Sequence, residues 1–141
     1  MSSLWVKVVT KDRLVLEEEA DFVVAPGELG ELGILPNHTP LLSTLKIGEL
    51  RIKKDGQTVY LAISGGFMEV FKNRIAILAE TAERAEEIDI DRAKRTKEWA
   101  EAEIKRHHKG EEEFLRMEGI IKRALNRLRI AEKRGQNKEK R

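Results

Sequence analysis

The spacing of apolar residues changes once along this chain, just after Glu87, and that change constrains the fold more than any other feature. Before it, apolar residues alternate or gather in short runs, as half-buried strands require. After it they recur every three to four residues, as one face of a helix requires. The chain therefore reads as two units: a β domain over residues 1–87 and a helical unit over residues 88–141.

Within the first unit, LWVKVV (4 to 9) alternates in the manner of a strand, and RLVLEEEADFVVA gives two more around an acidic patch. ELGELGILPNHTPLLSTL (28 to 45) holds several glycines and prolines and no sustained period, so it reads as a loop with short extended pieces on either side. The strongest local signal is ELRIKK-DG-QTVYLAI, because Asp55-Gly56 supplies the positive φ angles of a tight hairpin turn. A second hairpin follows in GGFMEVF-KN-RIAILAE, with Asn73 suited to the left-handed conformation. Many short strands with closely spaced turns predict a β-sandwich or barrel.

In the second unit Asp89 is suited to cap a first helix, whose Ile90, Ala93, Ala100 and Ile104 share a face interrupted by Lys97. Gly110 is placed to end that helix, and Glu111 to Glu113 suit the positive dipole end of the next. Phe114, Met117, Ile121, Ala124, Leu128 and Ala131 then recur at alternating spacings of three and four, a heptad seam. Two antiparallel helices, the first with little apolar surface, form a marginal unit that can exchange partners. The tail GQNKEKR reads as polar and frayed.

Charge sharpens the division. Residues 1–87 carry 10 Lys and Arg against 14 Asp and Glu, a net of −4, whereas residues 88–141 carry 17 against 11, a net of +6. Opposite signs suggest that the units meet each other or different partners. The absence of cysteine excludes a disulfide framework and a thiolate metal site, and makes a reducing interior the simpler expectation. Neither a signal peptide nor an apolar run of the roughly 20 residues needed to span a bilayer is legible. Any membrane contact is expected to come through another protein.

If the hairpin turns near Lys109 and Gly110, Arg92 lies level with about Arg127, and Arg123 lies one turn away. Three guanidinium groups then converge beside the sandwich, with Glu83, Glu86 and Glu87 near in sequence. Two readings stay open on spacing alone. One is a solvated salt-bridge cluster with Asp89 as an ordinary cap. The other is an anion site, since arginine forks match phosphate oxygens; there Asp89 could bond to a base or ribose, and Ala93 would leave room for a flat ring.

Other candidates carry less. His38 in PNHTP reads as a structural or contact residue, since no Ser, Cys or second His is near it. His107 and His108, adjacent on a helix, would diverge by about 100° and not chelate a metal. Gly65-Gly66 reads as tight strand geometry, because no Lys-Ser/Thr follows to make a phosphate loop. Glu17 to Glu19 read as a charged strand edge that discourages pairing with other chains. With only Trp99 and Phe114 as aromatics beyond residue 87, the basic helices lack the stacking positions of a nucleic-acid binder. No catalytic residue and no metal site are expected.

GELGILPNHTPLL (30 to 42), SGGFMEV (64 to 70), AERAEEIDIDRAK (82 to 94) and KRALNRLRIAE (122 to 132) together resemble the epsilon subunits of bacterial F-type ATP synthases, most of all the Bacillus-like forms. The resemblance covers nearly the whole chain. It implies an α+β fold, a flattened antiparallel β-sandwich followed by an antiparallel two-helix hairpin, in a non-catalytic subunit on the cytoplasmic side of the cell membrane. It implies as partners the gamma subunit, the c-ring and the alpha and beta subunits, with Glu31 and His38 in a loop facing the ring. It further implies a hairpin that permits ATP hydrolysis when folded and blocks it when extended, when about 54 residues would reach roughly 80 Å. Some such relatives bind ATP as a regulatory ligand, with or without Mg²⁺, through Ile/Leu-Asp-x-x-Arg-Ala; the matching residues here are Ile88, Asp89, Arg92 and Ala93, with Arg123, Arg127 and Glu83. Trp99 departs from that pattern, standing where those relatives have an arginine.

Overall fold

The computed structural model describes residues 3–134, so the tail GQNKEKR lies outside the described residues. Eight strands come first: β1 (Leu4–Val9), β2 (Leu14–Ala20), β3 (Phe22–Gly27), β4 (Gly30–Ile34), β5 (Leu41–Lys54), β6 (Gln57–Phe71), β7 (Arg74–Ala79) and β8 (Ala82–Arg84). A single 3₁₀ turn, Ala85–Glu87, leads into α1 (Ile90–Ile104) and α2 (Glu112–Ala131).

The strands form one hydrogen-bonded sheet in the order β2-β1-β7-β6-β5-β3-β4, with β8 on β6. It is folded over into two layers. β1 and β3 stand far apart in that order, yet Val6, Val8 and Val23 belong to one buried cluster with Leu50, Ile63 and Ile77. The device is the long β5–β6 hairpin, which both layers share. Its open end (Leu41↔Val70 to Leu45↔Gly66) adjoins β7, and its closed end (Leu50↔Leu61 to Lys54↔Gln57) adjoins β3. Pairing is antiparallel except between β1 and β7, which run parallel.

Both hairpin turns follow the local chemistry. Asp55 and Gly56 have φ of 51° and 78°, and Lys72 and Asn73 have 48° and 63°. Both central residues of such a turn need positive φ, so Lys72 adopts the left-handed conformation together with Asn73. The stretch 28–45, read as a loop with short extended pieces on either side, holds β4, which pairs with β3, and the start of β5. Gly65 and Gly66, read as tight strand geometry, lie within β6, which runs through both. Partner strands decide both cases: a ladder across the sheet fixes the backbone where local propensity is silent.

The helices fold back as an antiparallel hairpin. Asp89 caps α1 by accepting from the Arg92 amide at 3.0 Å, and Gly110, at φ 93°, turns the chain. Glu111 stands at the N-terminal boundary of α2, its carboxylate turned back to accept from the His108 amide. His107 and His108 therefore lie in the connection and not on a helix as expected. Of the expected α1 face, Ala93 and Ala100 are buried.

The α2 seam is half the story. Met117, Ala124 and Ala131 are buried as the heptad spacing predicts, but so are Asn126 and Ile130 on another face. Ile130 and Ala131 join Ala62, Ala85 and Ile88 in a second apolar cluster on the outer side of β6. Full burial of side chains such as Ile88 and Ile130 contributes about 1.5–3 kcal/mol each. The helical unit thus rests on the sandwich through the C-terminal half of α2.

Gly66 has φ 129°, and a Cβ there would lie 2.1 Å from the Leu78 carbonyl oxygen. Gly66→Ala is expected to destabilise the sandwich by at least roughly 2 kcal/mol through backbone strain and forced separation of β6 from β7. Thermal denaturation of the full chain measures it.

Candidate functional site

Beneath the hairpin lies a cavity of about 440 Å³ whose walls come from three parts of the chain. The floor is β6, the approach to β8 and β8 itself: Ala62, Ile63, Ser64, Thr81 and Glu83. One wall is α1, through Arg92, Thr96 and Trp99, at positions i, i+4 and i+7 of one helical stripe. The other is α2, chiefly through Ile120, Arg123 and Arg127. Counted outward from the turn, Arg92 is level with Arg127, Thr96 with Arg123, and Trp99 with Ile120. The cavity therefore grades from basic at the linker end to apolar toward the turn.

The three arginines expected to converge do line this one space, together with Glu83. Arg127 is held by Glu83 in a two-pronged pair, Nε to Oε1 at 2.6 Å and Nη2 to Oε2 at 3.1 Å. Among the described residues Arg92 and Arg123 have no side-chain ion-pair partner, so the lining carries a net positive charge. Ser64 and Thr81 share a hydroxyl hydrogen bond of 2.5 Å at the floor. The arrangement suits an anion: two uncompensated guanidinium forks, a third poised on a carboxylate, and neutral hydroxyls beside them.

Ile88, Asp89 and Ala93 are not brought into the lining. Ile88 is buried in the cluster on β6, and Ala93 is fully buried within α1. Asp89 bonds to the first turn of α1, which fixes where the stripe from Arg92 begins. Nor do Glu86 and Glu87 neutralise the arginines. Glu86 is exposed, and Glu87 instead receives Arg13 from the β1–β2 turn at 3.2 Å and the Arg84 amide at 3.0 Å. The loop expected to hold both Glu31 and His38 divides them. Glu31 lies on β4, 3.5 Å from Arg51, whereas His38 lies in the following loop with Nδ1 2.7 Å from the Thr39 carbonyl.

Several participants were not found from sequence. Asn126 is 6% exposed and donates to the carbonyls of Gly48 and Ile63 at 2.9 and 3.4 Å, while its own oxygen accepts from Arg129 at 2.7 Å. A neutral polar residue beside the heptad seam, among charged neighbours, was its only signal. Gly119, in the middle of α2, leaves room for Arg123: a Cβ there would sit 3.2 Å from its Nη1. Lys133 reaches Glu49 at 2.6 Å, and Arg134 donates to the carbonyls of Ala85 and Ile88, so polar contacts continue along the docked face of α2.

Away from the cavity, the outer face of the other layer carries exposed apolar side chains. Phe67 and Leu78, paired across β6 and β7, are each 55% exposed, with Phe71 and Leu42 nearby on the same sheet. Exposed apolar residues gathered this way mark a contact surface.

Two family descriptions match successive parts of the chain: ATP synthase, Delta/Epsilon chain, beta-sandwich domain over residues 3–85, and the long alpha-helix domain of the same chain over residues 86–132. The chain belongs to the ATP synthase delta/epsilon family. It is similar to the ATP synthase epsilon chain of Desulforamulus reducens, 50% identical over 89% of this chain and 94% of that one. To that of Nitratidesulfovibrio vulgaris it is 48% identical, over 91% and 95%. The fold is also found in a chain of the Euglena gracilis mitochondrial ATP synthase OSCP/F1/c-ring structure, at TM-score 0.74 and 23% identity, over 86% of this chain and 77% of that one. The match to the Tetrahymena thermophila central stalk/c-ring structure has TM-score 0.56 and 17% identity, over 92% and 94%. The boundary between the two family domains falls in the 3₁₀ turn that joins sandwich to hairpin.

Asn126→Ala is expected to weaken hairpin docking by roughly 1–3 kcal/mol, because two buried carbonyls lose a donor. Hydrogen exchange would show faster exchange in the C-terminal half of α2 with little change in β1 to β7. The Glu87 clasp has its own pH signature. Partial burial pushes the Glu87 carboxyl up, but the Arg13 and Arg84 hydrogen bonds outweigh this and hold its pKa below the ordinary 4.5. A depressed folded pKa means stability that is present above the unfolded value and lost as pH falls through the folded one. Denaturation midpoints from pH 6 down to about 3 should fall less steeply for Glu87→Gln than for the parent chain.

Proposed function

We propose that this chain is a non-catalytic rotor-stalk subunit of an F-type ATP synthase, and that its helical hairpin is a brake on ATP hydrolysis released by nucleotide binding in the folded state. The observation that carries the second half is the origin of the cavity walls: sandwich, α1 and α2 each supply one. A ligand held there can bind only while the hairpin is folded. Binding therefore stabilises the folded state by RT ln(1 + [L]/Kd), about 2.7 kcal/mol at a hundredfold excess over Kd.

The roles follow from position. Arg92 and Arg123 meet the phosphates, and Arg127 is shared between ligand and Glu83. Asp89 orients Arg92 through the cap, while Ile88 and Ala93 hold α1 against its neighbours. The Phe67–Leu78 face is the seat for the gamma subunit, and the loop with His38 lies toward the c-ring, with Glu31 on the strand before it. Extended, the basic α2 would reach acidic segments of the alpha and beta subunits. Catalysis belongs to those subunits, and this chain sits peripherally on the cytoplasmic side of the membrane. One observation favours a second reading: the Glu83–Arg127 pair latches the hairpin without any ligand, as a purely structural coupling subunit requires.

Calorimetric titration of the full chain with ATP, with and without Mg²⁺, separates the two. One-site binding is expected, weakened at least about tenfold in Arg92→Ala/Arg123→Ala because two charge-assisted contacts are removed. Absence of binding at millimolar ATP would leave the cluster as a latch. In the reassembled ATPase, the same variant should need more ATP to relieve inhibition.

A further inference from the structure

The chain just beyond α2 is fastened to the sandwich through a carboxylate that it shares with a second cation. Glu49 and Arg51 stand two apart on β5 and so share its outer face. The Glu49 side chain is 9% exposed and carries one partner on each oxygen: Lys133 Nζ lies 2.6 Å from Oε2, and Arg51 Nη1 lies 3.0 Å from Oε1. Lys133 also sits over the Tyr60 ring, 4.9 Å from its centroid. The same Nη1 of Arg51 is 3.5 Å from Glu31 on β4, whose side chain is 62% exposed. Glu31, Glu49 and Lys133 line one groove of about 360 Å³ with Lys46 and Arg129, and Arg129 is committed to the Asn126 oxygen.

A guanidinium meets a carboxylate most strongly as a fork, with two parallel hydrogen bonds. Here one nitrogen of Arg51 is drawn between two carboxylates, and the second oxygen of Glu49 is left to Lys133. Relieved of Glu31, Arg51 can turn its fork onto both oxygens of Glu49 and displace the ammonium. A lysine in place of Arg51 could not do so, because it is a point charge without a fork.

We propose that Arg51 couples Glu31, on the edge strand of the sheet, to the attachment of the α2 end. A basic side chain of a neighbouring protein that takes the Glu31 carboxylate sends Arg51 onto Glu49 and loosens Lys133. By linkage the effect runs both ways: when Lys133 leaves, Arg51 moves to Glu49, and Glu31 becomes more available to that neighbour. The coupling is internal to the chain and involves no residue of the cavity beneath the hairpin; only the source of the cation, another subunit of the stalk, rests on the proposed function.

The test is a double-mutant cycle read by hydrogen exchange of the full chain, with Glu31→Gln standing in for a carboxylate that has been taken. In the parent chain Glu31→Gln should speed exchange at residues 124–131 about threefold or more, with β5 and β6 unchanged. In a Lys133→Gln background those amides should already exchange fast, and Glu31→Gln should add nothing. An Arg51→Lys background should also be insensitive to Glu31→Gln. No acceleration in the parent chain would overturn the coupling. An equal effect of Glu31→Gln in either background would overturn it too, because edge-strand damage or general loss of charge acts without Lys133 and without the arginine fork.

Discussion

A single buried amide keys the helical half of this protein to its sandwich. Asn126 reaches from α2 to the carbonyls of Gly48 and Ile63, which face each other across β5 and β6 where the long hairpin passes from one layer to the other. An apolar side chain at that position could slide along the sheet; an amide that must satisfy buried carbonyls cannot. Ile130 and Ala131 then fall against Ala62 and Ile88, and Arg127 reaches Glu83. The cavity exists because that docking leaves α1 outside α2, facing the sheet across an unfilled space.

The docked face of α2 is unusually polar for a helix–sheet contact. Ile130 and Ala131 provide a small apolar centre, flanked by Asn126, Arg127, Lys133 and Arg134, each bonded to the sandwich or the linker. The opposite net charges of the two units are expressed in these pairs. Such contacts fix geometry well and add modest net stability, since much of their Coulomb energy is offset by desolvation. That balance suits an element whose docking must be fixed in one register. The turn from sandwich to hairpin is tied separately, by Arg13 and Arg84 to Glu87.

Legibility in the sequence followed the range of the forces involved. Asp55-Gly56, Lys72-Asn73, the Asp89 cap and the Gly110 turn are set by neighbouring residues, and each was readable. So was the convergence of Arg92, Arg123 and Arg127, because an antiparallel hairpin makes it a matter of counting. The parallel pairing of β1 with β7 was not, because it depends on a partner strand distant in sequence. Glu87 seemed available to the arginine cluster by proximity, but Arg13, 74 residues away, is its partner.

The sequence by itself therefore determined the two units, their boundary, the turns, the caps and the set of residues at one end of the hairpin, since periodicity and backbone preference act locally. Only the tertiary structure decided how the units meet: which face of α2 docks, that Asn126 is buried, that Ile88, Asp89 and Ala93 stand behind the cavity, and that Trp99 stands within it. The physical reason is that a helix offers several partly apolar faces of similar worth. The choice among them is made by the sheet's own buried carbonyls and carboxylates, whose positions no local pattern encodes.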